Sequence, residues 1–331
     1  MKLLLCFGTR PEYIKIKSLK DNIKNIPLKT LFTGQHTNLI DDLNVDYIIK
    51  IDTNNTNRLN DIWCSIMKHN YIFDDITHVI VQGDTSSAIA VAMSAFHNGK
   101  KIIHLEAGLR TFDIHDPYPE ELNRQLISKL ASIHLCPTNL NKQNLLNENV
   151  SGDIYVVGNT GLDNINKDNV FYGNKVLITL HRRDNQHIID KWFLALSKIA
   201  QKYSDLDFIL PIHPNPEIRK HKHLLEHINI IEPVNHYDMI NILKKCKFVI
   251  SDSGGLQEEA SYLNKKIIVC RNSTERPEII GTNSVLCNNP DDLKQHVDNF
   301  YHNYFIETIC PYKPDDEPVY KKIIDIFNKY I

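Results

Sequence analysis

No stretch of the sequence approaches the ~20 consecutive apolar residues that a membrane-spanning helix needs, and its seven cysteines include no Cys-x-x-Cys pair. Gly-Lys-Ser/Thr, the end of a Walker phosphate loop, is also absent. So is any excess of charge. Thirty-eight Lys and Arg against 40 Asp and Glu leave a formal net charge of −2, which gives no electrostatic case for nucleic acid or an anionic membrane as partner. The opening MKLLLCFGTRPE has an apolar run of only Leu3–Phe7 before charge returns at Arg10 and Glu12, short of the roughly 7–15 residues of a signal-peptide core. Cys6, Cys64, Cys136, Cys246, Cys270, Cys287 and Cys310 are odd in number, and most sit in or beside apolar runs. They read as buried, reduced thiols of a cytoplasmic protein.

What is present is a regular alternation. The 331 residues exceed one typical core, so two domains of about 150–180 residues are expected. Short β-rich runs, KLLLCF, LKTLFT, HVIVQG, KIIHLEA, SIHLCP and DIYVVG, are separated by helical stretches such as PEYIKIKSLKDNIKN and TSSAIAVAMSAFHNG. A polar, asparagine-rich passage from Asn159 to Lys175 interrupts the pattern and is the best linker. The alternation then resumes with VLITLH, DFILPIH, NIIEP, FVISDSGG, KIIVCR and SVLCN. Two successive βα series imply an α/β protein of two doubly wound parallel sheets facing a cleft. The boundaries fall at 1–165, 166–314 and a final amphipathic helix, 315–331, that packs back on the first domain.

In such sheets ligands sit beyond the carboxyl ends of the strands, and the polar clusters fall there. FGTRPEYIK ends a strand at Phe7, and Pro11 suits the first turn of a helix. Arg10 and Lys15 are then placed for phosphate, although a capped helix with solvated cations meets the same pattern. In VQGDTSSAIA, Asp84 follows a strand and is either a helix cap or a functional acid. HLEAGLRT puts Glu106 directly after a strand, where a buried carboxylate needs a partner such as Arg110 or a task. Glu120 and Arg124 in PYPEELNRQ are four apart on a helix start, the spacing of an ordinary salt bridge. Together Asp84, Glu106 and Glu120 are three acids at one sheet edge, facing cationic Arg10, Lys15 and Arg124, a set fit for acid–base chemistry on a phosphorylated ligand.

The second half places His181 in LITLHRRDN and His213 in LPIHPNPE at strand ends. SDSGGLQEEA offers bare amides at Gly254 and Gly255 for an anion, with carboxylates Glu258 and Glu259 close behind. RNSTERPE adds Glu275, Arg276 and Glu278. HLLEH, His223 to His227, fits a zinc pattern, but it lies in a basic stretch read as an exposed helix with no third ligand. No metal is expected.

In order, FGTRPEYIK, TGQH, QGDT, HLEAGLRT, PYPEELNR, VVGNT, HRRDN, SDSGGLQEEA and ERPE resemble the non-hydrolysing UDP-N-acetylglucosamine 2-epimerases over nearly the whole chain. The resemblance implies two Rossmann-like domains in the GT-B-like arrangement shared with sugar-nucleotide glycosyltransferases, a homodimer, and UDP bound mainly by the C-terminal domain. It implies interconversion of UDP-GlcNAc and UDP-ManNAc, with no cofactor. A base removes the C2 proton while UDP leaves C1, and UDP then re-adds to the 2-acetamidoglucal.

Matching assigns Asp84, Glu106, Glu120 and His181 to catalysis, with Arg10, Lys15 and Arg124 on sugar and phosphate. Ser253, Gly254, Gly255, Glu259 and Arg276 fall on UDP, the Glu259 carboxylate accepting the ribose hydroxyls. Met239 stands where the family places an aromatic near uracil. Gln35 and His213 match a second, allosteric substrate site, in which Asn38 replaces a glutamine. The chain is also trimmed around Asp52–Trp63. A modified UDP-2-acetamido sugar as substrate, a glycosyltransferase of the same architecture and a non-catalytic UDP-sugar binder are the other readings.

Overall fold

Leu3–Phe7 is buried at every position, as expected where helices cover both faces of a parallel sheet and each strand becomes a continuous apolar run. Leu3, Leu5 and Phe7 enter one core cluster and Leu4 and Cys6 the other, the alternation a pleated strand imposes. The structure, a computed structural model, describes residues 1–35, 44–53 and 57–331. His36 and Asn38, named above, lie outside the described residues, as do 54–56 of the Asp52–Trp63 stretch.

The chain divides into two units, Met1–Asn164 with Tyr312–Ile331, and Ile165–Pro311. Among the described residues, unit one holds seven strands: β1 (Leu3–Phe7), β2 (Leu28–Phe32), β3 (Tyr47–Ile48), β4 (His78–Gln82), β5 (Lys101–Leu105), β6 (Ile133–Cys136) and β7 (Asp153–Val156). Their order is β3-β2-β1-β4-β5-β6-β7, and every pairing is parallel. The helices are α1 (Arg10–Asn22), α2 (Arg58–Met67), α3 (Ser86–His97), α4 (Glu120–Leu130) and α5 (Asn139–Asn147).

Unit two repeats the plan with six strands: β8 (Lys175–Thr179), β9 (Asp207–Pro211), β10 (Asn229–Ile231), β11 (Cys246–Ser251), β12 (Lys266–Val269) and β13 (Ser284–Leu286). They run β10-β9-β8-β11-β12-β13, again all parallel. Its helices are α6 (Arg183–Gln186), α7 (Ile189–Lys202), α8 (Pro216–Arg219), α9 (His236–Lys244), α10 (Gly254–Tyr262) and α11 (Leu293–His302). The chain ends in α12 (Val319–Phe327), whose Val319, Ile323, Ile326 and Phe327 join the unit-one cluster containing Leu3, Leu5 and Phe7. Each unit is thus a Rossmann-like doubly wound sheet, and the fold is α/β of the GT-B-like kind. Each sheet reverses its strand order once, between β1 and β4 and between β8 and β11. The loops leaving those strands diverge there and open a ligand crevice.

All twelve strands expected from the sequence form. Two local expectations differ. β3, two residues long, has too short a run to register as a strand. The stretch from Arg219 to His227 is not one helix. α8 ends at Arg219, a single 3-10 turn covers Lys222–Leu224, and His227 takes the left-handed backbone at φ 59°. Six of the nine residues in RKHKHLLEH carry a cationic or imidazole side chain with little apolar surface to bury, so no packed face sustains a longer helix. No described helix is long and apolar enough to cross a membrane. Of the seven cysteines, only Cys64 is exposed, and none is in a disulfide.

His104, on β5, is wholly buried and directs Nε2 at the Gly83 carbonyl, 2.8 Å away. Burial pushes its imidazole down to about 3. The folded protein therefore keeps it neutral, while the unfolded chain takes up a proton near pH 6.5. Its contribution is complete above that value and is lost as pH falls toward 3, by about 1.4 kcal/mol per pH unit. Urea unfolding of the wild type between pH 7 and 4.5 is expected to show a steeper loss of stability than His104→Gln, by about one proton. Equal slopes in the two proteins would refute this role.

Candidate active site

In unit one the site is built at the ends of β1, β4 and β5. Thr9 caps α1, Pro11 stands in its first turn, and Glu12 closes a reciprocal capping box. Glu12 is 2% exposed. Its Oε2 accepts the backbone N–H groups of Gly8 at 3.0 Å and Thr9 at 2.7 Å, and its Oε1 accepts the Thr85 hydroxyl at 2.8 Å. Burial raises its pKa while these bonds pull the other way. One carboxylate thereby ties the turn after β1 to the turn after β4. The approach is close enough that a Cβ on Gly8 would stand 2.3 Å from the Thr33 hydroxyl oxygen. Arg10 lies exposed in the first turn of α1.

Gln82 of β4 is in register with Leu105 of β5, so Asp84 and Glu106 leave the sheet at the same edge. Glu106 is buried, with a left-handed backbone at φ 70°, a conformation costly for a non-glycine residue and found where the surroundings dictate it. Its carboxylate takes Lys15 Nζ at 2.5 Å on Oε1 and the Gln82 amide on Oε2. The partner is therefore Lys15, and Arg110 is bound instead to Glu148, at 2.7 Å through Nε. Asp84 is half-buried and does not cap α3. Thr85 does so, accepting Ala88 N–H at 3.0 Å. Asp84 Oδ2 instead receives Arg124 Nε at 2.8 Å.

Arg124 also donates to Glu121 Oε2 at 2.7 Å, and Glu121, fully buried, accepts the N–H of Thr111 at 3.0 Å. The structural acid of this helix start is Glu121, while Glu120 is half-buried at its first position. Two carboxylates, each held by one cation, thus flank the edge where the strand order reverses. Gln35 turns its side-chain oxygen to the Ser87 hydroxyl at 2.7 Å.

In unit two Ser251 is in register with Thr179 of β8 and Val269 of β12, which brings three turns together. Asp252, directly after β11, is fully buried. Its Oδ2 accepts His181 N–H at 2.9 Å, Arg182 N–H at 2.8 Å and Asn185 Nδ2 at 3.0 Å. The amides after β8 are thereby occupied. The imidazole of His181 stacks on His213, with ring centroids 5.1 Å apart and planes 7° from parallel.

The turn after β11 is arranged otherwise. Ser253 takes the capping position of α10 but makes no side-chain cap, so the first-turn amides of Gly254 and Gly255 retain their donors. A Cβ at Gly254 would meet Arg276 at 2.7 Å, and one at Gly255 would meet nothing within 4 Å. The mouth of α10 is open on the Gly255 side and walled on the other by Arg276. That guanidinium is 3% exposed, donating to Glu258 Oε1 at 2.5 Å and also to Glu275. Arg276 is therefore fixed in the wall. Glu259, one turn into α10, holds His236 Nε2 at 2.8 Å. Met239 is half-buried on α9, which begins at His236.

Glu12, Glu121, Asp252 and His236 were not singled out from the sequence. Glu12 had a signal, since Thr9-x-x-Glu12 just before an apolar periodic run is the capping-box pattern. Asp252 had none, because an Asp between two serines after a strand looks like any turn residue. Among the described residues no group of three or more His, Cys, Asp or Glu side chains is placed to hold a metal ion.

Residues 18–326 match the family model described as UDP-N-acetylglucosamine 2-epimerase. The UDP-N-acetylglucosamine 2-epimerase of Salmonella borreze is 34% identical over 370 aligned residues, covering 99% of this chain and 94% of that protein. The Bacillus subtilis enzyme of the same name is 36% identical over 306, covering 84% and 80%. Among solved structures, UDP-GlcNAc 2-epimerase from Neisseria meningitidis, bound to UDP-GlcNAc, superposes with a TM-score of 0.87 at 30% identity, over 99% of this chain and 100% of that one.

The two glycines of α10 should separate in their response to a methyl group. Gly254→Ala forces a side chain against the Arg276–Glu275 wall and is expected to cost about 1–3 kcal/mol. Gly255→Ala enters open space in a helix and should be neutral, or stabilising by about 0.5–1 kcal/mol. Urea midpoints of the two variants check the split, and equal losses would contradict the geometry.

Proposed function

The chain belongs to the UDP-N-acetylglucosamine 2-epimerase family, and from that we propose that it interconverts UDP-GlcNAc and UDP-ManNAc without releasing free sugar. The observation that carries the proposal is the turn from β11 into α10, where uncapped amides at Gly254 and Gly255 precede the carboxylate of Glu259 by one turn. A nucleoside diphosphate wants both, amides and a helix dipole for its phosphates and a carboxylate for two vicinal ribose hydroxyls. His236 already engages one oxygen of Glu259 and orients that carboxylate toward the sugar edge of the nucleoside. Met239 supplies a soft apolar contact to the base, and Ser253 an additional hydroxyl donor.

The C2 proton of an N-acetylhexosamine is poorly acidic, so its removal has to be coupled to departure of UDP from C1. Charge building on the leaving diphosphate is stabilised by the α10 amides, by His181 and by Arg10. Arg276 serves from within the wall. Its contact with Glu258 and Glu275 fixes the mouth of α10, rather than spending its charge on an exposed phosphate. Inversion at C2 requires a proton to leave one face and return on the other, hence more than one acid–base group. Asp84, Glu106 and Glu120 take these parts, with Lys15 and Arg124 holding Glu106 and Asp84 in place. The intermediate is 2-acetamidoglucal, to which UDP re-adds. His213, stacked on His181, fixes the plane of that ring. No cofactor is required by this sequence of steps. The six buried cysteines, none in a disulfide, accord with a cytoplasmic setting, and family resemblance suggests a homodimer.

Incubation with UDP-GlcNAc in deuterated water, followed by NMR, should give UDP-ManNAc carrying deuterium at C2. Free ManNAc would mean hydrolysis instead, and no exchange would discard UDP-GlcNAc as substrate in favour of a modified UDP-2-acetamido sugar. Asp84→Asn and Glu106→Gln are each expected to lower turnover at least about 10²-fold while leaving UDP affinity within a few-fold. Wild-type rates in either variant would remove that carboxylate from the mechanism.

A further inference from the structure

Asp252 carries more hydrogen-bonding capacity than its structural task uses. Its Oδ2 alone accepts the three donors that close the turn after β8, namely His181 N–H, Arg182 N–H and Asn185 Nδ2. Its Oδ1 is buried and has no hydrogen-bond partner among the described residues. A buried carboxylate oxygen left without a donor is costly, so its presence asks for a reason. The His181 ring approaches it, with Nδ1 at 3.6 Å from Oδ1, just beyond hydrogen-bond distance. That ring is the only half of the pair in contact with solvent. The His181 side chain is 36% exposed, and Asp252 is 0% exposed.

We propose that Asp252 is a positioning residue for His181: its unshared Oδ1 accepts the Nδ1 proton, fixing the tautomer that leaves Nε2 outward for the ligand. The remaining contacts of the ring agree with this. His213 stacks flat on it, so the ring can slide or rotate in its plane by the few tenths of an ångström that close the gap to Oδ1. His213 itself accepts the Asn215 N–H on Nδ1 at 3.2 Å, which places its own ring proton on Nε2. The backbone bond from His181 N–H to Oδ2 and the ring contact to Oδ1 use the two oxygens of one carboxylate. Main chain and side chain of the same histidine are thereby indexed to one rigid group at the end of β11. A histidine held in this way presents the same nitrogen to the ligand in every molecule, the arrangement in which a second group sets which ring nitrogen carries the proton.

The role of His181 toward the diphosphate rests on the function proposed above; the tautomer does not. Nitrogen-15 NMR of histidine-labelled full-length protein, with His181→Gln to assign the signals, reads the tautomer directly. In the wild type, Nδ1 of His181 is expected to be protonated and Nε2 of the neutral ring unprotonated. Asp252→Asn keeps an oxygen for the three donors but turns an amide N–H₂ toward Nδ1. The tautomer should then invert, with turnover falling at least about 10²-fold and KM changing little. A wild-type ring protonated on Nε2, or an unchanged tautomer in Asp252→Asn, overturns the proposal. If the variant does not fold, the wild-type spectrum decides alone. Addition of UDP distinguishes the two layers. A His181 signal that UDP leaves unmoved overturns the nucleotide contact of that ring, while the tautomer separately judges the contact with Asp252.

Discussion

A buried carboxylate that accepts two consecutive backbone N–H groups just after the first strand governs both units of this protein. In unit one it is Glu12, bound to Gly8 and Thr9; in unit two it is Asp252, bound to His181 and Arg182. Neither acid comes from the turn it closes. Glu12 reaches back from the first turn of α1, and Asp252 reaches across from the end of β11. Each also binds a third group that ties in a neighbouring segment, Thr85 in the first case and Asn185 in the second. Amides at a strand-to-helix turn are the usual place to bind an anion, and here two such turns are already occupied by protein carboxylates.

Under the proposed function, that saturation narrows where a diphosphate binds. With the turn after β8 closed, the open amides at the switch point of unit two are those of Gly254 and Gly255, where Ser253 withholds its side-chain cap. The buried Arg276 wall shapes the mouth, its guanidinium held by Glu258 and Glu275. In unit one the same closure of the first turn leaves side chains, not amides, at the sheet edge. Asp84 and Glu106 project from adjacent strands in register, each steadied by a cation. Under the proposed function the two sheet edges would serve different tasks, open amides for phosphate in unit two and carboxylates for protons in unit one.

Much of this was legible in the residues. The strands were readable because a parallel strand covered on both faces becomes a short apolar run, and LLLCF, HVIVQ and CKFVIS are such runs. The acids and the glycine pair stood at strand ends, where the open-sheet rule directs attention. What could not be read was which neighbour answers each charge. Arg110 is four residues from Glu106 in sequence, yet Lys15, from a helix 91 residues away, is its partner. Arg276, assigned to UDP by resemblance, is buried, with partners from α10 and from the adjacent Glu275. Glu120 and Glu121 are adjacent, and only burial tells that the second is structural. Pairings of this kind depend on sheet order and register, which a linear pattern of hydrophobicity does not encode.

The central claim is that the bare N-terminus of α10 receives the diphosphate of a uridine nucleotide. Amide chemical shifts of Gly254 and Gly255, followed by nitrogen-15 NMR as UDP is added, test it most directly. Both signals should move together and saturate with one affinity, while uridine without phosphates leaves them in place. UDP binding that shifts amides elsewhere and leaves these two untouched would contradict the account.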